Sequence, residues 1–588
     1  MRALLGNGSS GVLYEALDRE QGVVVALKVL TQRSAESIAF FKNEFRALQG
    51  IRHPNLVELR ELLCEEGHWL LSMQLVRGID IVAFARGAEA RAVAEPISGG
   101  ASAADETVRR ARPTLEALPE LRRGGRFCEA RVRGGFRQLA EGVSALHAAS
   151  MIHRDLKPSN VQVDAQGRVV VLDFGLVAAL GQSGTFRAEF LLGTPRYMAP
   201  EQAALEQLGP ASDWYSVGVM LYEALTGVSP FAARRPLEEV EASGARAVPP
   251  SERVPAVPRD LSELCMQLLS FDPAQRPNGA EIASRLAAGS SSAAQSSSRR
   301  SPATDGIFVG REGEFQRLWA AFARVRAGEP LRVVVEGESG VGKTALVGQF
   351  LEQARQAEPN LLCFVGRSFE RESLPYKALD GVMDAVCEHL KSLASAELFA
   401  VLPSNASVIA QAFPALRQLE AFVVSERRLE TTEPHVLRLS IFEALRELFA
   451  NLCATRPTII VMDDLQWTDI DSLTLLSALL RPPGAPQMLL IAMRRPGATA
   501  AAHPLPGAAQ HLSLGPLSAA EATQLVTELL ASGAGVLTSQ DEVAALASGA
   551  QGHPLFLREL VRQLGSEGAR GTVGRLEDAL WRRIAQLD

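Results

Sequence analysis

Apolar residues change their spacing several times along this chain, and each change marks an element. Val23-Val24-Val25-Ala26-Leu27 is an unbroken β-rich run ending on Lys28, and Trp69-Leu70-Leu71-Ser72-Met73 reads as a second buried strand. Between them, Phe40, Phe41, Phe45 and Leu48 share one helical face and predict a helix over about 35–49. Val132, Phe136, Leu139, Val143 and Leu146 are spaced four, three, four and three apart, which predicts another helix. Further on, Leu331-Arg332-Val333-Val334-Val335, Thr458-Ile459-Ile460-Val461-Met462 and Met488–Met493 are apolar runs of buried-strand length. Ser518 and Glu521 stand at capping-box spacing, so a helix is expected to start after Pro516-Leu517. The segment 576–588 is expected to be an amphipathic helix.

Two stretches break the pattern. Residues about 87–127 are rich in Ala, Arg, Glu and Gly without a firm period, and read as an inserted solvated loop. Residues 289–301 are mostly Ser and Ala and read as a flexible linker, ending a first unit near 288. A length of 588 residues leaves room for several domains. The net charge of −7 gives no general electrostatic case for nucleic acid. Six cysteines, at 64, 128, 265, 363, 387 and 453, include no CxxC pair, so neither a disulfide framework nor a zinc site is indicated, and reduced cytoplasmic thiols are expected. No apolar run reaches the roughly 18 residues of a membrane span, and the opening MRALLGNGSSG has too short an apolar core for a signal peptide. The abrupt start and the missing C-terminal cap lead to the expectation of truncation or a misplaced start.

The chemistry concentrates in His153-Arg154-Asp155-Leu156-Lys157-Pro158-Ser159-Asn160 and in Asp173-Phe174-Gly175. An acid, a lysine and an amide, then a second acid before a glycine, are the equipment of phosphoryl transfer. Asp155 orients the attacking hydroxyl, Lys157 meets the γ-phosphate, and Asn160 with Asp173 holds Mg²⁺ against the ATP phosphates. On these motifs the first half resembles the eukaryotic-like serine/threonine protein kinases of bacteria. The resemblance assigns Gly6, Gly8 and Gly11 to a hairpin over the ATP phosphates, Lys28 to the α- and β-phosphates, and Glu44 to pairing with Lys28. It makes Met73 the gatekeeper and Gln74-Leu75-Val76 the hinge that meets adenine. It gives Asp213 as a brace of the catalytic loop and Arg276 as the partner of Glu201, in the Ala199-Pro200-Glu201 that closes the activation segment. Arg154 is then a buried cation that seeks an anion from that segment. Thr185 is the expected phosphorylation site, Ser183 the next, Glu189 a fixed-carboxylate rival, and Thr194 a contact of the catalytic loop.

A second nucleotide motif follows. Gly337-Glu338-Ser339-Gly340-Val341-Gly342-Lys343-Thr344 is a full GxxxxGKT between a strand and a helix. Its backbone would cradle phosphates, Lys343 would reach the β/γ oxygens, and Thr344 would ligate Mg²⁺. Asp463 closes an apolar strand and is expected in the Mg²⁺ shell, with Asp464 polarising the attacking water and Arg494 sensing the γ-phosphate. Phe308-Val309-Gly310-Arg311-Glu312, this loop and Asp463-Asp464-Leu465-Gln466-Trp467 together resemble the STAND branch of AAA-like ATPases, and Gly552-His553-Pro554 resembles that branch's GxP element. The resemblance implies that Pro554 contacts the nucleotide; a lone His553 is expected to be structural.

The expected fold is multidomain, α+β and α/β. A bilobal protein kinase fold occupies 1–288, a linker 289–304, a P-loop α/β ATPase 305–515, and a helical or winged-helix extension 516–588. The expected function is ATP-dependent phosphorylation of protein Ser/Thr hydroxyls, with ATP and Mg²⁺ as cofactors and a nucleotide switch regulating signalling. Self-association through the ATPase domain is expected, membrane and nucleic-acid partners are not, and the location is cytoplasmic. The alternatives are a pseudokinase scaffold on a working ATPase, opposed by the full set Lys28, Glu44, Asp155, Asn160 and Asp173, and a DNA-binding regulator, opposed by the acidic charge.

Overall fold

The computed structural model describes residues 1–8, 11–31, 34–49, 51–65, 67–88, 127–173, 178–179, 195–204, 206, 208–231, 247–287, 307–423, 433–497, 508–531 and 540–567. Most of the insertion, Phe174-Gly175, the activation-segment candidates Ser183, Thr185, Glu189 and Thr194, the linker, and the segment 576–588 lie outside them. Two compact units divide the chain near residue 298.

The first unit opens with an antiparallel sheet in which Ala3–Gly8, Gly11–Asp18, Val23–Val29, His68–Gln74 and Leu59–Glu65 neighbour one another in that order. Its register sets Lys28 opposite Leu13 on one side and Leu71 on the other. The helix expected over 35–49 is Ala35–Leu48, and it buries Ile38, Phe41, Phe45 and Leu48. The following lobe is helical. Helix Glu129–Ala148 buries all five residues whose spacing announced it. Helix Pro210–Thr226 is buried over nearly its whole length, Asp213 and Glu223 included, and it stops at Gly227, which takes the left-handed conformation at φ 83°. A small sheet of Gly78–Asp80, Val161–Asp164 and Val169–Val171 carries the loop between Ile152 and Val161.

The second unit is built on a parallel sheet of Leu362–Arg367, Thr458–Asp463, Met488–Arg494, Leu331–Gly337 and Gln510–Leu514, in that order. Helices cover both faces, which is why the central strands read as unbroken apolar runs. Val333, Val335, Val461 and Ile491 pack with Leu346 and Phe350 on one face. Val334, Ile460, Met462 and Leu490 pack with Val382, Val386 and Leu448 on the other. Helices Ala519–Leu529, Gln540–Gly549 and Pro554–Glu567 then gather a separate small core from Leu525, Val526, Leu557 and Val561, joined by Val309. The capping box closes as its spacing predicts: Ser518 Oγ accepts the Glu521 N–H at 3.3 Å, and Glu521 Oε2 accepts the Ser518 N–H at 2.7 Å. Among the described residues this last part is helical. No helix among them is long and apolar enough to cross a membrane.

Candidate functional site

In the first unit, Lys28 leaves its strand into a pair of acids. Its Nζ lies 3.1 and 3.0 Å from the two Glu44 oxygens and 2.8 Å from Asp173 Oδ1. Lys28 and Glu44 are buried. Burial alone would push the Lys28 ammonium down, but Glu44 and Asp173 outweigh it and raise it above its usual value. Burial likewise opposes ionisation of Asp173, and Lys28 holds that carboxyl below the usual range.

A second cluster forms on the loop after Ile152. Lys157 Nζ donates to Asp155 Oδ2 at 2.7 Å. The Asn160 amide donates to the same oxygen at 3.1 Å and to the Asp155 carbonyl at 2.8 Å. With its NH₂ group on Asp155, Asn160 accepts the Ser159 hydroxyl on its Oδ1 at 3.4 Å; an amide oxygen and a carboxylate such as that of Asp173 are donor types that suit a hard cation. Two residues here are strained: Arg154 and Asp173 sit at φ 68° and 55° without being glycine, at about 1–3 kcal/mol each. Asp173 is held there by Lys28. Arg154 is held by Asp213, whose Oδ1 accepts its N–H at 2.9 Å, while Oδ2 accepts the His153 N–H at 2.9 Å and lies 2.8 Å from His147 Nε2. Burial opposes the Asp213 charge, yet these partners keep its carboxyl below the usual range. Arg276 meets Glu201 through both Nη atoms, at 2.6 and 2.9 Å.

Of the glycines, Gly6 and Gly8 lie on the first strand, opposite Leu13 and Gly11. Gly11 (φ 155°) needs its missing side chain, because a Cβ would come within 2.4 Å of the Val29 carbonyl oxygen. Met73 is buried opposite Ala26, Gln74 ends that strand opposite Val25, and Val76 follows it.

The second unit gathers its motif residues around a cleft of about 390 Å³. Gly340 and Gly342 turn the chain at φ 77° and 104°, and helix Lys343–Ala357 begins there, aiming its first N–H groups at the loop. Lys343 Nζ donates to the carbonyls of Gly337 (2.7 Å) and Glu338 (2.9 Å), and burial pushes its ammonium below the usual value. Thr344 Oγ1 lies 3.4 Å from Asp463 Oδ2. Burial, and then the charge of Asp464, push the Asp463 carboxyl above the usual range; the Thr344 hydroxyl and the Asp463 carboxylate are oxygen donors of the type a divalent cation takes.

One expected residue faces elsewhere. Arg494 stands directly across from Glu336 on the neighbouring strand, and its Nε donates to Glu336 Oε1 at 2.6 Å. Arg495 lines the cleft instead, together with Arg311 from the motif at 308–312 and with Arg367 and Arg558, which the motifs did not announce. Pro554 also lines it. His553 stacks on Phe556 at 4.3 Å, and its Nε2 lies 2.9 Å from the Ser339 carbonyl oxygen, so the histidine supports the phosphate loop.

A family model described as "Protein kinase domain" matches residues 1–101 and 106–286, and one described as "AAA ATPase domain" matches 307–491. The chain is similar to serine/threonine-protein kinase PkaB of Streptomyces coelicolor, 31% identical over 296 residues that cover 48% of this chain and 61% of that protein. It is also similar to serine/threonine-protein kinase pkn3 of Myxococcus xanthus, 32% identical over 300 residues and 48% of each chain. Serine/threonine-protein kinase PknA of Mycobacterium tuberculosis is 29% identical over 297 residues, covering 49% and 60%. The matched part thus spans about half to three-fifths of these curated relatives.

Proposed function

We propose, for a chain that carries a protein kinase domain followed by an AAA ATPase domain, that the first transfers the γ-phosphate of ATP to Ser/Thr hydroxyls of proteins and the second binds ATP as a STAND-type regulatory switch. The observation that carries the catalytic reading is the pair of clusters, Lys28–Glu44–Asp173 for the nucleotide and Asp155–Lys157–Asn160 for the reacting atoms. Lys157 and Asn160 both engage Asp155 Oδ2, so Oδ1 is the oxygen that receives the substrate hydroxyl. The hydroxyl oxygen bonds to the γ-phosphorus as the bond to the β–γ bridging oxygen breaks, ADP leaves with that electron pair, and Asp155 accepts the proton. Lys157, 2.7 Å from Asp155, is placed to offset charge on the transferring group. Asn160 and Asp173 would hold Mg²⁺, which supplies charge neutralisation at the phosphates. In this reading the kinase domain covers 1–288, with Met73, Gln74 and Val76 at adenine and Gly6, Gly8 and Gly11 over the phosphates. Six free thiols favour a reducing cytoplasm.

In the second unit, over 305–515 with its helical extension, Lys343, the glycines at 337, 340 and 342, Thr344 and Asp463 would hold ATP and Mg²⁺, and Arg495, which lines the cleft, takes the γ-phosphate role expected of Arg494. Self-association through this unit belongs to the same reading. Lys343→Ala is expected to abolish nucleotide binding at the second site while phosphotransfer by the full chain persists. Equilibrium binding of a fluorescent ATP analogue to chains carrying Lys28→Ala, with and without Lys343→Ala, checks it; equal binding by the two would refute the phosphate-loop assignment.

A further inference from the structure

Helix Pro210–Thr226 carries a carboxylate near each end of its buried length. Asp213, near its start, accepts the N–H of Arg154, the residue before Asp155, at 2.9 Å. Glu223, near its end, has a wholly buried side chain. Two residues of the short turn Pro195–Tyr197 close over it. The Tyr197 hydroxyl donates to Glu223 Oε2 at 2.9 Å, and Arg196 Nη2 pairs with Oε1 at 2.5 Å. The Arg196 side chain is 33% exposed against 0% for Glu223, so water meets the guanidinium and not the carboxylate behind it. The segment that carries Arg196 is held on two sides. Ser216 Oγ donates to the Tyr197 carbonyl at 2.7 Å, and the Gln202 amide donates to the Arg154 carbonyl at 2.9 Å. Arg196 thus stands on a support shared with the catalytic loop.

A buried carboxylate needs a cation beside it, but that need alone does not put the cation at the surface. From outside, the two charges are not felt equally. Coulomb energy falls with distance, so a charged side chain that approaches meets the exposed guanidinium first. A guanidinium has five N–H donors, and one nitrogen on Glu223 leaves others for a second carboxylate. We propose, resting on the reading that the first unit phosphorylates Ser/Thr hydroxyls, that Arg196 is a specificity-determining residue that favours protein substrates with an acidic side chain near the acceptor. Asp213 and Glu223 are ten residues apart, which is about 15 Å along a helix. An extended substrate covers about 3.3 Å per residue, so the acid falls within about five residues of the acceptor. Loss of Arg196 uncovers Glu223 and turns the preference toward basic side chains.

The test uses the full chain and degenerate peptide pools with one Thr acceptor. Each pool fixes Glu, Gln or Lys at one position within about five residues of the acceptor on either side. Transfer from γ-labelled ATP is read as a ratio to the Gln pool of the same position. The wild type is expected to favour Glu over Gln about two- to fivefold at one or more positions, the size of a partly exposed ion pair, and to disfavour Lys there. Arg196→Lys is expected to keep that preference. Arg196→Gln is expected to lose it and to favour Lys instead, and adding Glu223→Gln to make the three pools alike. A purely structural role for Arg196 would lower every pool by one factor and leave the ratios as they were, which overturns the proposal. A wild type without a preference for Glu at any of these positions overturns it as well. If the wild type labels no pool at all, the phosphotransfer reading itself fails.

Discussion

Replacing Asp155 by alanine is expected to lower phosphotransfer to a Ser/Thr substrate by about a hundred- to ten-thousandfold, the usual contribution of a positioned general base. ATP affinity should stay close to that of the wild type. The two effects separate because the two clusters do. The nucleotide side is fixed by Lys28 between Glu44 and Asp173, and no bond in that set involves Asp155. Asn160 loses one acceptor in the variant but keeps the Asp155 carbonyl at 2.8 Å, so its orientation toward a cation survives. The fall should appear in kcat, with KM for ATP little changed. Steady-state kinetics beside direct ATP binding check this; a variant that retains its rate would remove Asp155 from the reaction.

Arg276→Ala is expected to cost about 3–5 kcal/mol of stability, the loss typical when one partner of a buried ion pair is removed. The side chain is fully buried, and its three nitrogens are all spent. Nε donates to the Ser270 carbonyl at 2.8 Å. Nη1 reaches Glu201 at 2.6 Å and the Ala211 carbonyl at 2.8 Å. Nη2 reaches Glu201 at 2.9 Å and the Phe271 carbonyl at 3.2 Å. The guanidinium also lies 5.1 Å from the Tyr215 ring centroid. Alanine therefore strands a buried carboxylate, to which, among the described residues, the Ser212 Oγ still donates from a side chain at 2.8 Å, and three carbonyls besides. Burial opposes the Glu201 charge, but the bonds from Arg276 hold its carboxyl below the ordinary value of 4.5. A depressed carboxyl contributes stability that is present above that value and fades as pH falls through the folded-state pKa. The gap in melting temperature between wild type and variant should accordingly narrow in acid. Thermal melts across pH check both parts; an unchanged melting temperature near neutrality would contradict them.

Local pattern was enough to place the elements whose faces differ sharply. Phe41, Phe45 and Leu48 lie on the helix their spacing implies, and the run ending at Lys28 is a strand. Several sheet strands went unread, among them Leu59–Glu65 and Val161–Asp164 in the first unit and Leu362–Arg367 and Gln510–Leu514 at the edges of the parallel sheet; at four to seven residues each is too short for its period to stand out. Register is what period cannot supply. The choice between Arg494 and Arg495 turns on which side chain crosses to Glu336, and that follows from a strand pairing 158 residues apart in sequence. Arg367 was invisible for the same reason, its partner Asp464 being 97 residues away. Lys28, Asp173 and Asp155 could be singled out beforehand only because their motifs carry chemistry; the distances that separate them into two clusters come from the fold.

The most direct measurement of the central claim is phosphoamino-acid analysis after the full chain is incubated with γ-labelled ATP, Mg²⁺ and a generic protein substrate containing Ser, Thr and Tyr. Asp155→Ala and Lys343→Ala are run alongside. The account predicts labelled phosphoserine or phosphothreonine from the wild type and from Lys343→Ala, and none above background from Asp155→Ala. Label that persists in Asp155→Ala, or a wild type that binds ATP at both sites yet labels no Ser or Thr, would contradict it and leave a nucleotide-binding scaffold in place of a kinase.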